Sequence, residues 1–369
     1  MTVNPTNHSG IFYDEHDATA LSGLGRDSVT YADPEGRADC GVIIVTYNSA
    51  RDIAGLLESL PAAAPGLTVR VVVVDNGSAD NTVEIVRAHG HVACIETGAN
   101  IGYAAGVNLG RQHAGDCAAM AVLNPDLVLE AGSLREMLDV LDDPAVGMTV
   151  PLMLDLEGSH FPSLRREPSL LRALGDALFG GHFSIRPGWL TEIVRDEREY
   201  NYQHSVEWAT GAAMLISAKC ESAVGPLDES YFLYSEEVDY AARIRAAGYR
   251  IDFVPTARVR HRGSGSGRSN HLRALMAVNR VRYIEKRGRR AGPYRAIVLF
   301  HALLRCASPG HRLALRAVAR RSSWPDLLAA LDAARLPESN GETSAGDLSA
   351  ATPTTAGMGP SHSVIGRGL

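Results

Sequence analysis

The first third of the chain alternates between short apolar runs and longer segments of helical period. The apolar runs, which predict buried strands, lie at 42–45, 69–74, 92–95 and 118–123. The segments between them place apolar residues at helical spacing and predict helices at 50–60, 81–88 and 104–113. Strands that are apolar throughout and alternate with helices are typical of a parallel sheet covered on both faces. The pattern therefore predicts a doubly wound, mostly parallel α/β domain.

Beyond Pro151 the period weakens, and the chain is predicted to become helical towards its end. Further strands are predicted at 208–216 and 250–254, and further helices at 235–247, 271–287, 294–306 and 311–321. Polar segments without a period predict a flexible leader at 1–37 and a disordered tail at 337–369. We therefore expect an α/β domain at 38–268 and a basic helical C-terminal extension at 269–336.

Charge is distributed unevenly along the chain, whose net charge is -6. From Arg258 to Ser322 there are 17 Lys and Arg and a single acid, Glu285, which leaves 19 basic and 41 acidic residues elsewhere. A basic segment on an acidic body predicts contact with phosphates or an anionic surface. A solvated, arginine-rich helical face is an equally good interpretation of the same residues.

The apolar runs and the cysteines are informative about the cellular location of the protein. No apolar run reaches the roughly 18 residues that a membrane-spanning helix needs. The first five residues lack the basic start and apolar core of a signal peptide. The five cysteines are scattered and form no C-x-x-C pair, which favours isolated reduced thiols. We therefore expect a cytoplasmic protein.

Polar residues follow two of the predicted strands at the point where each strand ends. Thr46 follows the first strand, and Asp75 and Asn76 follow the second. The carboxyl ends of neighbouring parallel strands meet at one edge of a sheet, where open α/β folds bind ligands. A carboxylate there can accept a hydrogen bond from a nucleoside. For Asp75 alone, however, an Asx-turn or helix cap is the stronger interpretation, because Asn-Gly-Ser follows it.

Asp126 interrupts two apolar runs, 118–123 and 127–129. A buried, unpaired carboxylate is strongly disfavoured, and Pro125 removes a backbone donor that a central strand would need. Asp126 is therefore expected at the carboxyl edge of the sheet, facing a cleft. It is the first residue to consider for chemistry.

Three further segments carry polar residues whose role the pattern leaves open. The glycines of 100–110 suit a phosphate at a helix start, although such a turn is weak evidence alone. Glu236 and Glu237 begin a predicted helix, where acids favour the helix dipole. The aromatic run 231–234 before them could instead raise a carboxyl pKa and suit it to general-base work. His261 lies between two arginines, which favours a neutral, metal-binding form over a cation, or it lies in a plain exposed loop.

Taken in order, these segments resemble the inverting family 2 glycosyltransferases of the GT-A fold, in particular the rhamnosyltransferase-like branch. The resemblance covers roughly 40–285 and rests on five short motifs. Each motif is weak by itself, but the five in this order are highly specific. They are VTYNS at 45–49, VDNGS at 74–78, NIGYA at 100–104, LNPD at 123–126, and GPLDE with YFLYSEEVD at 225–239.

The resemblance implies a donor site for a nucleoside-diphosphate sugar. Thr46, Asp75 and Asn76 would hold the nucleoside, and Trp208 with Gly211 would wall the sugar and acceptor pocket. Further donor-binding residues are expected in the same motifs, at Gly102, Asn108, Asn124 and Asp126.

The resemblance also implies a divalent cation, Mg²⁺ or Mn²⁺, and a general base. Asp126 matches the last acid of the family's D-x-D motif, and His261 matches a histidine that completes the metal site in some members. Glu237 falls where the family has the aspartate that deprotonates the acceptor hydroxyl, and Glu236 precedes it. The implied activity is that of a hexosyltransferase-type enzyme with dTDP-L-rhamnose as the first candidate donor. Its acceptor would be a glycan, a lipid-linked sugar or a small molecule, with no nucleic-acid partner.

Two other functions stay open. A sugar nucleotidyltransferase shares the sheet and the metal but needs a glycine-rich basic loop where Thr46–Ala50 stands. A catalytically silent sugar-nucleotide-binding partner is the other alternative, because Asn124 replaces the first acid of D-x-D and Glu237 replaces an aspartate.

The basic C-terminal helices predict peripheral contact with the inner face of a membrane. Arg312, Arg316 and Arg320 recur every four residues. The apolar Leu313, Leu315 and Val318 lie between them. This arrangement is consistent with interfacial binding of an amphipathic helix.

Overall fold

The computed structural model describes residues 29–32, 36–179, 187–263, 269–289, 291–325 and 327. The chain divides into two compact units, 1–335 and 336–369. The second unit, which includes the predicted tail, lies outside the described residues. So does most of the predicted leader, of which residues 29–32 and 36–37 are described.

The described residues form an α/β structure whose strands and helices largely alternate. The strands are β1 Thr30–Tyr31, β2 Ala38–Thr46, β3 Thr68–Asp75, β4 Val92–Glu96, β5 Cys117–Leu123, β6 Leu127–Leu129, β7 Val146–Leu154, β8 Leu164–Arg165, β9 His204–Ser205, β10 Trp208–Ala209, β11 Ala213–Ser217 and β12 Arg250–His261. The helices are α1 Ile53–Ala63, α2 Thr82–Arg87, α3 Tyr103–His113, α4 Ser133–Val140, α5 Leu170–Phe179, α6 Ala218–Val224, α7 Glu236–Ala246, α8 Asn270–Lys286, α9 Ala291–Leu304 and α10 Pro309–Ala319.

The main sheet has ten strands within the described residues, with the order β1-β3-β2-β5-β11-β7-β12-β6. In addition, β4 pairs with β3, and β9 pairs with β12. Strands β4, β3, β2 and β5 are all parallel, as the sequence predicts. The other half is mixed, because β11 runs antiparallel to both β5 and β7. The predicted α/β fold class is confirmed, and its parallel part holds the first four core strands.

The predicted strand at 208–216 is wrong as a single element. The chain leaves one sheet and enters another between Ala209 and Ala213, with Gly211 at the break. Strand β10 pairs with β8 in a separate two-stranded sheet, whereas β11 lies in the main sheet. An apolar run alone does not show that a chain changes sheets.

Pro151 lies inside the buried strand β7 and does not end it. Its neighbour β12 shifts register between Val254 and Arg258, directly after the residue that pairs with Pro151. A proline, which cannot donate to the ladder, is tolerated at such an irregularity. The weaker period after Pro151 therefore reflects a strand with a local bulge beside it.

The C-terminal helices are part of the main body. Residues of α8, α9 and α10 share one hydrophobic core with β7, β11 and α7. The helical extension predicted from the sequence is present, and its packing positions α8 against the segment that precedes α7.

Candidate active site

The ends of β2 and β3 form the first part of the site. Thr46 and Asp75 are the last residues of these strands and pair in register. The Thr46 hydroxyl donates to Asp75 Oδ1 at 2.9 Å, and the amides of Gly77 and Ser78 donate to Oδ2 at 3.1 and 2.8 Å. Asp75 therefore forms the Asx-turn, and only 2% of it is exposed. Its contact with a nucleoside stays a prediction.

Asn76 connects this edge to the start of α3. Its Nδ2 donates to the Gly102 carbonyl at 3.0 Å, while its Oδ1 is buried without a hydrogen-bond partner among the described residues. Gly102 has a φ of 92°, and a Cβ there would lie 2.7 Å from the Phe232 ring, so only glycine fits. The orphaned Asn76 oxygen, buried at the end of β3, is suited to accept a hydrogen bond from a ligand.

Asp126 and His261 form the second part of the site, although they are 135 residues apart. Because Leu127 pairs with His261 across β6 and β12, the imidazole lies beside Asp126. His261 Nε2 is 3.1 Å from Asp126 Oδ1, and the Gly263 amide donates to Oδ2 at 3.3 Å. Asn124, in the same turn, donates its backbone amide to the Ala212 carbonyl at 2.8 Å.

The Asp126 carboxylate is stabilised in its charged form. Burial acts to raise the pKa of Asp126, but the hydrogen bond and charge of His261 and the backbone amides outweigh it, so this pKa is lowered. Asp126 is therefore ionised at neutral pH. His261 Nδ1 is buried and has no hydrogen-bond partner among the residues the structure describes.

The two arginines that flank His261 are both neutralised. Arg260 pairs with Glu130 at 2.9 Å, and Arg262 pairs with Asp52. The flanking arginines are therefore paired with carboxylates of their own and do not face the imidazole as free charges. The nearest charged partner of the imidazole is the Asp126 carboxylate.

Glu236 and Glu237 begin α7 and form the third part of the site. Glu236 is 4% exposed, whereas Glu237 is half-buried and packs against the chain at Gly211, where an added Cβ would lie 3.1 Å from Glu237 Cβ. In both residues Oε2 is buried and has no hydrogen-bond partner in the described part of the chain. Acids are common in a first helical turn, but buried carboxylate oxygens without partners are not.

The two carboxyl groups differ in their tendency to ionise. Burial raises the pKa of both. The charge of Glu237 raises the pKa of Glu236 further, backbone hydrogen bonds act to lower both pKa values, and Arg165 acts to lower that of Glu237. A close pair of like groups titrates as a unit, in which one member keeps its proton. We therefore expect Glu236 to stay protonated at a pH where Glu237 ionises.

The segment before α7 holds an unusual backbone. Phe232, Tyr234 and Ser235 have φ values of 65°, 68° and 76°, each of which costs a residue other than glycine about 1–3 kcal/mol. Buried Asn279 on α8 holds this segment. Its Nδ2 donates to the carbonyls of Tyr231, Leu233 and Tyr234 at 2.7, 2.9 and 3.1 Å. A single α8 side chain thus fixes the strained turn that presents the two glutamates.

Tyr103 links the carboxylate pair to the Asp126 side of the site. Its hydroxyl lies 3.3 Å from the Gly211 carbonyl. Burial raises the pKa of Tyr103, and the charges of Glu236, Glu237 and Asp126 add to the rise. All three carboxylates are therefore near this phenol.

Sequence reasoning passed over Asn279 and Tyr103 as site residues. Tyr103 lies within the NIGYA motif, which could have identified it. Asn279 lies in the middle of a predicted helix, and no local pattern distinguishes it from a surface asparagine.

Asn108 and Trp208 have partners within the fold. Asn108 is buried, and its amide exchanges hydrogen bonds of 2.9 Å with the backbone of Leu227. Trp208 Nε1 donates to the Arg166 carbonyl at 2.9 Å. Their contacts with donor or acceptor stay predictions.

The buried carboxyl of Glu236 should make the protein less stable at neutral pH than its amide variant. Because burial raises the folded-state pKa, the stability that the protonated group contributes is lost as pH rises from the unfolded value through the folded one. We expect Glu236→Gln to raise the free energy of unfolding at neutral pH by about 1 kcal/mol or more. Urea unfolding across pH checks this: the gain should shrink towards the ordinary Glu pKa of 4.5. An equal gain at every pH would show that the charge is not its cause.

The fold agrees with what comparison with known proteins shows. The family model "Glycosyl transferase family 2" matches residues 41–196. The N-acetylglucosaminyl-diphospho-decaprenol L-rhamnosyltransferase of Mycobacterium tuberculosis is 34% identical over 267 residues, which cover 69% of this chain and 86% of that protein. The chain therefore belongs to glycosyl transferase family 2.

Two further proteins are similar to this chain. The low-salt glycan biosynthesis hexosyltransferase Agl10 of Haloferax volcanii is 29% identical over 219 residues, 58% of this chain and 64% of that protein. Among solved structures, a mannosyltransferase of Pyrobaculum calidifontis in complex with GDP-Man and Mn²⁺ has a TM-score of 0.46 at 20% identity, over 82% of this chain and 77% of that one. The sequence matches confirm the predicted family, its rhamnosyltransferase-like branch and the glycosyltransferase class of enzyme. Together with the sheet topology, they confirm the GT-A type of α/β fold.

Proposed function

We propose that this glycosyltransferase moves a sugar from a nucleoside diphosphate to an acceptor hydroxyl with inversion at the anomeric carbon. L-Rhamnose is the first candidate sugar, because the mycobacterial relative carries that activity in its name. The observation that carries the proposal is the pair Glu236 and Glu237, whose Oε2 atoms are both buried without a hydrogen-bond partner among the described residues, beside the phenol of Tyr103. Thr46, Asp75 and Asn76 would hold the nucleoside at the strand ends.

Glu237 is the proposed general base. Its carboxylate takes the proton of the acceptor hydroxyl as the acceptor oxygen attacks the anomeric carbon. The bond from that carbon to the diphosphate breaks, and the diphosphate leaves with the bonding electrons on the opposite face. The raised pKa makes the carboxylate a stronger base than an exposed glutamate. Glu236, which keeps its proton, would leave Glu237 as the ionised member of the pair.

Asp126 and His261 fit a divalent cation as part of its ligand set. Asp126 Oδ1 and His261 Nε2 converge at 3.1 Å, and carboxylate and imidazole are ligands that Mn²⁺ accepts. No group of three or more His, Cys, Asp or Glu able to hold a metal occurs among the described residues. A cation there would therefore depend on phosphate oxygens and water for its other ligands, as Mg²⁺ commonly does. When bound, it would neutralise the charge that develops on the departing diphosphate.

The proposed acceptor is a lipid-linked glycan. This proposal rests on the printed name of the mycobacterial relative, which describes a sugar carried on diphospho-decaprenol. In the described part of the chain, no helix is both long enough and apolar enough to cross a membrane. We propose that the protein reaches such an acceptor through peripheral contact with a bilayer.

Thermal unfolding with a panel of nucleotide sugars, each with and without Mn²⁺, tests the donor and the cation together. A ligand that binds only the folded state stabilises it, and saturation at a hundred times Kd contributes about 2.7 kcal/mol. We expect dTDP-L-rhamnose with Mn²⁺ to give the largest rise in Tm, a few degrees for a protein of this size.

The Asp126→Asn variant distinguishes stabilisation by the cation from stabilisation by the nucleotide in this assay. We expect the variant to lose the Mn²⁺-dependent part of the rise, while the exposed control Glu58→Gln on α1 keeps it. If Mn²⁺ does not increase stabilisation by any nucleotide sugar in the wild type, the proposed cation is wrong. If no nucleotide sugar stabilises the protein, the donor proposal fails.

A further inference from the structure

The outward face of α9 is apolar, which is the reverse of an ordinary surface helix. Ala296, Phe300, Leu303 and Leu304 are all exposed and recur at the spacing of one helical face. The side chain of Arg295 turns towards the end of α10, where it donates to the carbonyls of Val318 and Ala319 at 2.9 and 2.8 Å. The other polar residue, His301, also lies on the inner side.

His301 adds no charge to this inner side at neutral pH. Its ring stacks on His311 at 5.8 Å. Burial and nearby cations lower the pKa of His301 to about 4. Helix α9 therefore turns Arg295 and His301 inward together with its core residues Tyr294 and Ala302, and presents large hydrophobic side chains to the outside.

Neighbouring elements extend this face. Helix α5 packs against α9, and Arg305, just after α9, donates to the Ala177 carbonyl of α5 at 2.9 Å. Leu171 and Leu178 of α5 are exposed, as is Trp189 in the turn that packs on α5. We call this surface the α5–α9 face and define it by six side chains: Leu171, Leu178, Trp189, Phe300, Leu303 and Leu304.

Positive charge lies beside the α9 part of the α5–α9 face. The sequence from Lys286 to Pro325 contains no Asp or Glu. Arg312 donates to the carbonyls of Cys306 and Ala307 and so lies at the end of α9 that carries Leu303 and Leu304. Large apolar side chains beside arginines are the combination that binds an anionic lipid surface.

We propose that the α5–α9 face binds the surface of a bilayer that contains anionic lipids. Phe300, Leu303 and Leu304 would enter the interface between headgroups and acyl chains, while nearby arginines contact lipid phosphates. The inference deepens the proposed function, since a lipid-linked acceptor gives this contact a use, but the binding itself needs neither donor nor acceptor. In this proposal the helix that inserts into the lipid interface is α9 and not α10. On α10, Val318 lies in the core, and Leu313 and Leu315 are partly buried and pack against it.

Vesicle flotation of the full chain, without nucleotide sugar, tests the proposal. The probes are vesicles of phosphatidylcholine alone and of phosphatidylcholine mixed with phosphatidylglycerol. We expect binding to the mixed vesicles, reduced by salt, and little binding to the neutral ones. The double substitution Leu303→Glu with Leu304→Glu should lower the partition coefficient at least about tenfold, because each leucine loses a buried contact and gains a charge of the lipid's sign.

Leu156→Glu is the matched control, since Leu156 and Leu303 are each 55% exposed and Leu156 lies outside the α5–α9 face. This control should bind vesicles as the wild type does. Equal binding by all three proteins, or no binding to either vesicle, overturns the proposal. The proposal is also overturned if light scattering shows a dimer, the double substitution dissociates that dimer, and the protein does not bind vesicles. Hydrolysis of the donor in lipid-free buffer should be unchanged in the double variant, so a failure here is distinct from a failure of the proposed activity.

Discussion

Glu237→Gln is expected to lower the rate of sugar transfer by about three orders of magnitude, because the acceptor hydroxyl loses its general base. The amide keeps the size of the side chain and its packing against Gly211, so the fold should persist. Donor affinity should stay near that of the wild type, since the proposed donor contacts lie at the ends of β2, β3 and β5. Initial rates of nucleotide release and titration of the donor by calorimetry would measure the two effects separately.

Glu236→Gln is the control for Glu237→Gln. It removes a carboxyl that we expect to be protonated already, so transfer should fall by much less. In the wild type and in this control, the rate should rise with pH through a pKa above the ordinary Glu range, because burial raises the pKa of Glu237 and the ionised form is active. If Glu236→Gln is the inactive variant and Glu237→Gln retains transfer, the base is Glu236. If both retain it, neither carboxylate is the base.

Asn279→Ala is expected to lower kcat on the order of a hundredfold with little change in donor affinity. The three carbonyls that Asn279 holds belong to the strained turn before α7, and a displacement of a base by about 1 Å can cost this much. The Leu233 and Tyr234 carbonyls lose this donor, whereas the Tyr231 carbonyl keeps the Leu233 amide, so the free energy of unfolding should also fall by about 1–3 kcal/mol. Steady-state kinetics below the melting temperature and urea unfolding would measure these losses.

Two variants show whether Asn279 acts by positioning the glutamates or only by packing within the fold. Asn279→Asp keeps the shape but replaces the donating amide by a group that repels the carbonyls, so it should be as inactive as Asn279→Ala. Met276→Ala, on the exposed side of the same helix, should leave kcat unchanged. A folded Asn279→Asp variant with wild-type kcat would show that these hydrogen bonds do not position the glutamates.

The parallel half of the sheet is the part of the fold that the sequence predicts best. Its strands β2, β3 and β5 are apolar runs that are buried on both faces, so their burial can be read from their composition. The helices at 133–140, 170–179 and 218–224 are missing from the prediction, and the first and last are only about two turns long, which leaves little room for a periodic pattern. The strand at 146–154 was missed because Pro151 looked like a boundary, and only its pairing with β12 shows how the proline is accommodated.

The candidate site, like the fold, could be predicted from the sequence only in part. Asp126 could be placed from its own neighbours, because an acid between two apolar runs needs a special location. Its pairing with His261 depends on β6 meeting β12, which no local pattern contains. The unequal ionisation of Glu236 and Glu237 depends on burial by distant elements. Likewise, α10 has the amphipathic pattern, but the packing of α9 decides which apolar face is exposed.

The anomeric configuration of the released sugar tests the central claim most directly. Wild-type protein would be incubated with dTDP-L-rhamnose and Mn²⁺, and proton NMR would follow slow hydrolysis before the free sugar mutarotates. A single displacement, with Glu237 activating water in place of the acceptor, predicts release of dTDP and a sugar of inverted configuration. A sugar of retained configuration would contradict the proposed mechanism, and a donor that binds but stays intact would favour the silent sugar-nucleotide-binding alternative.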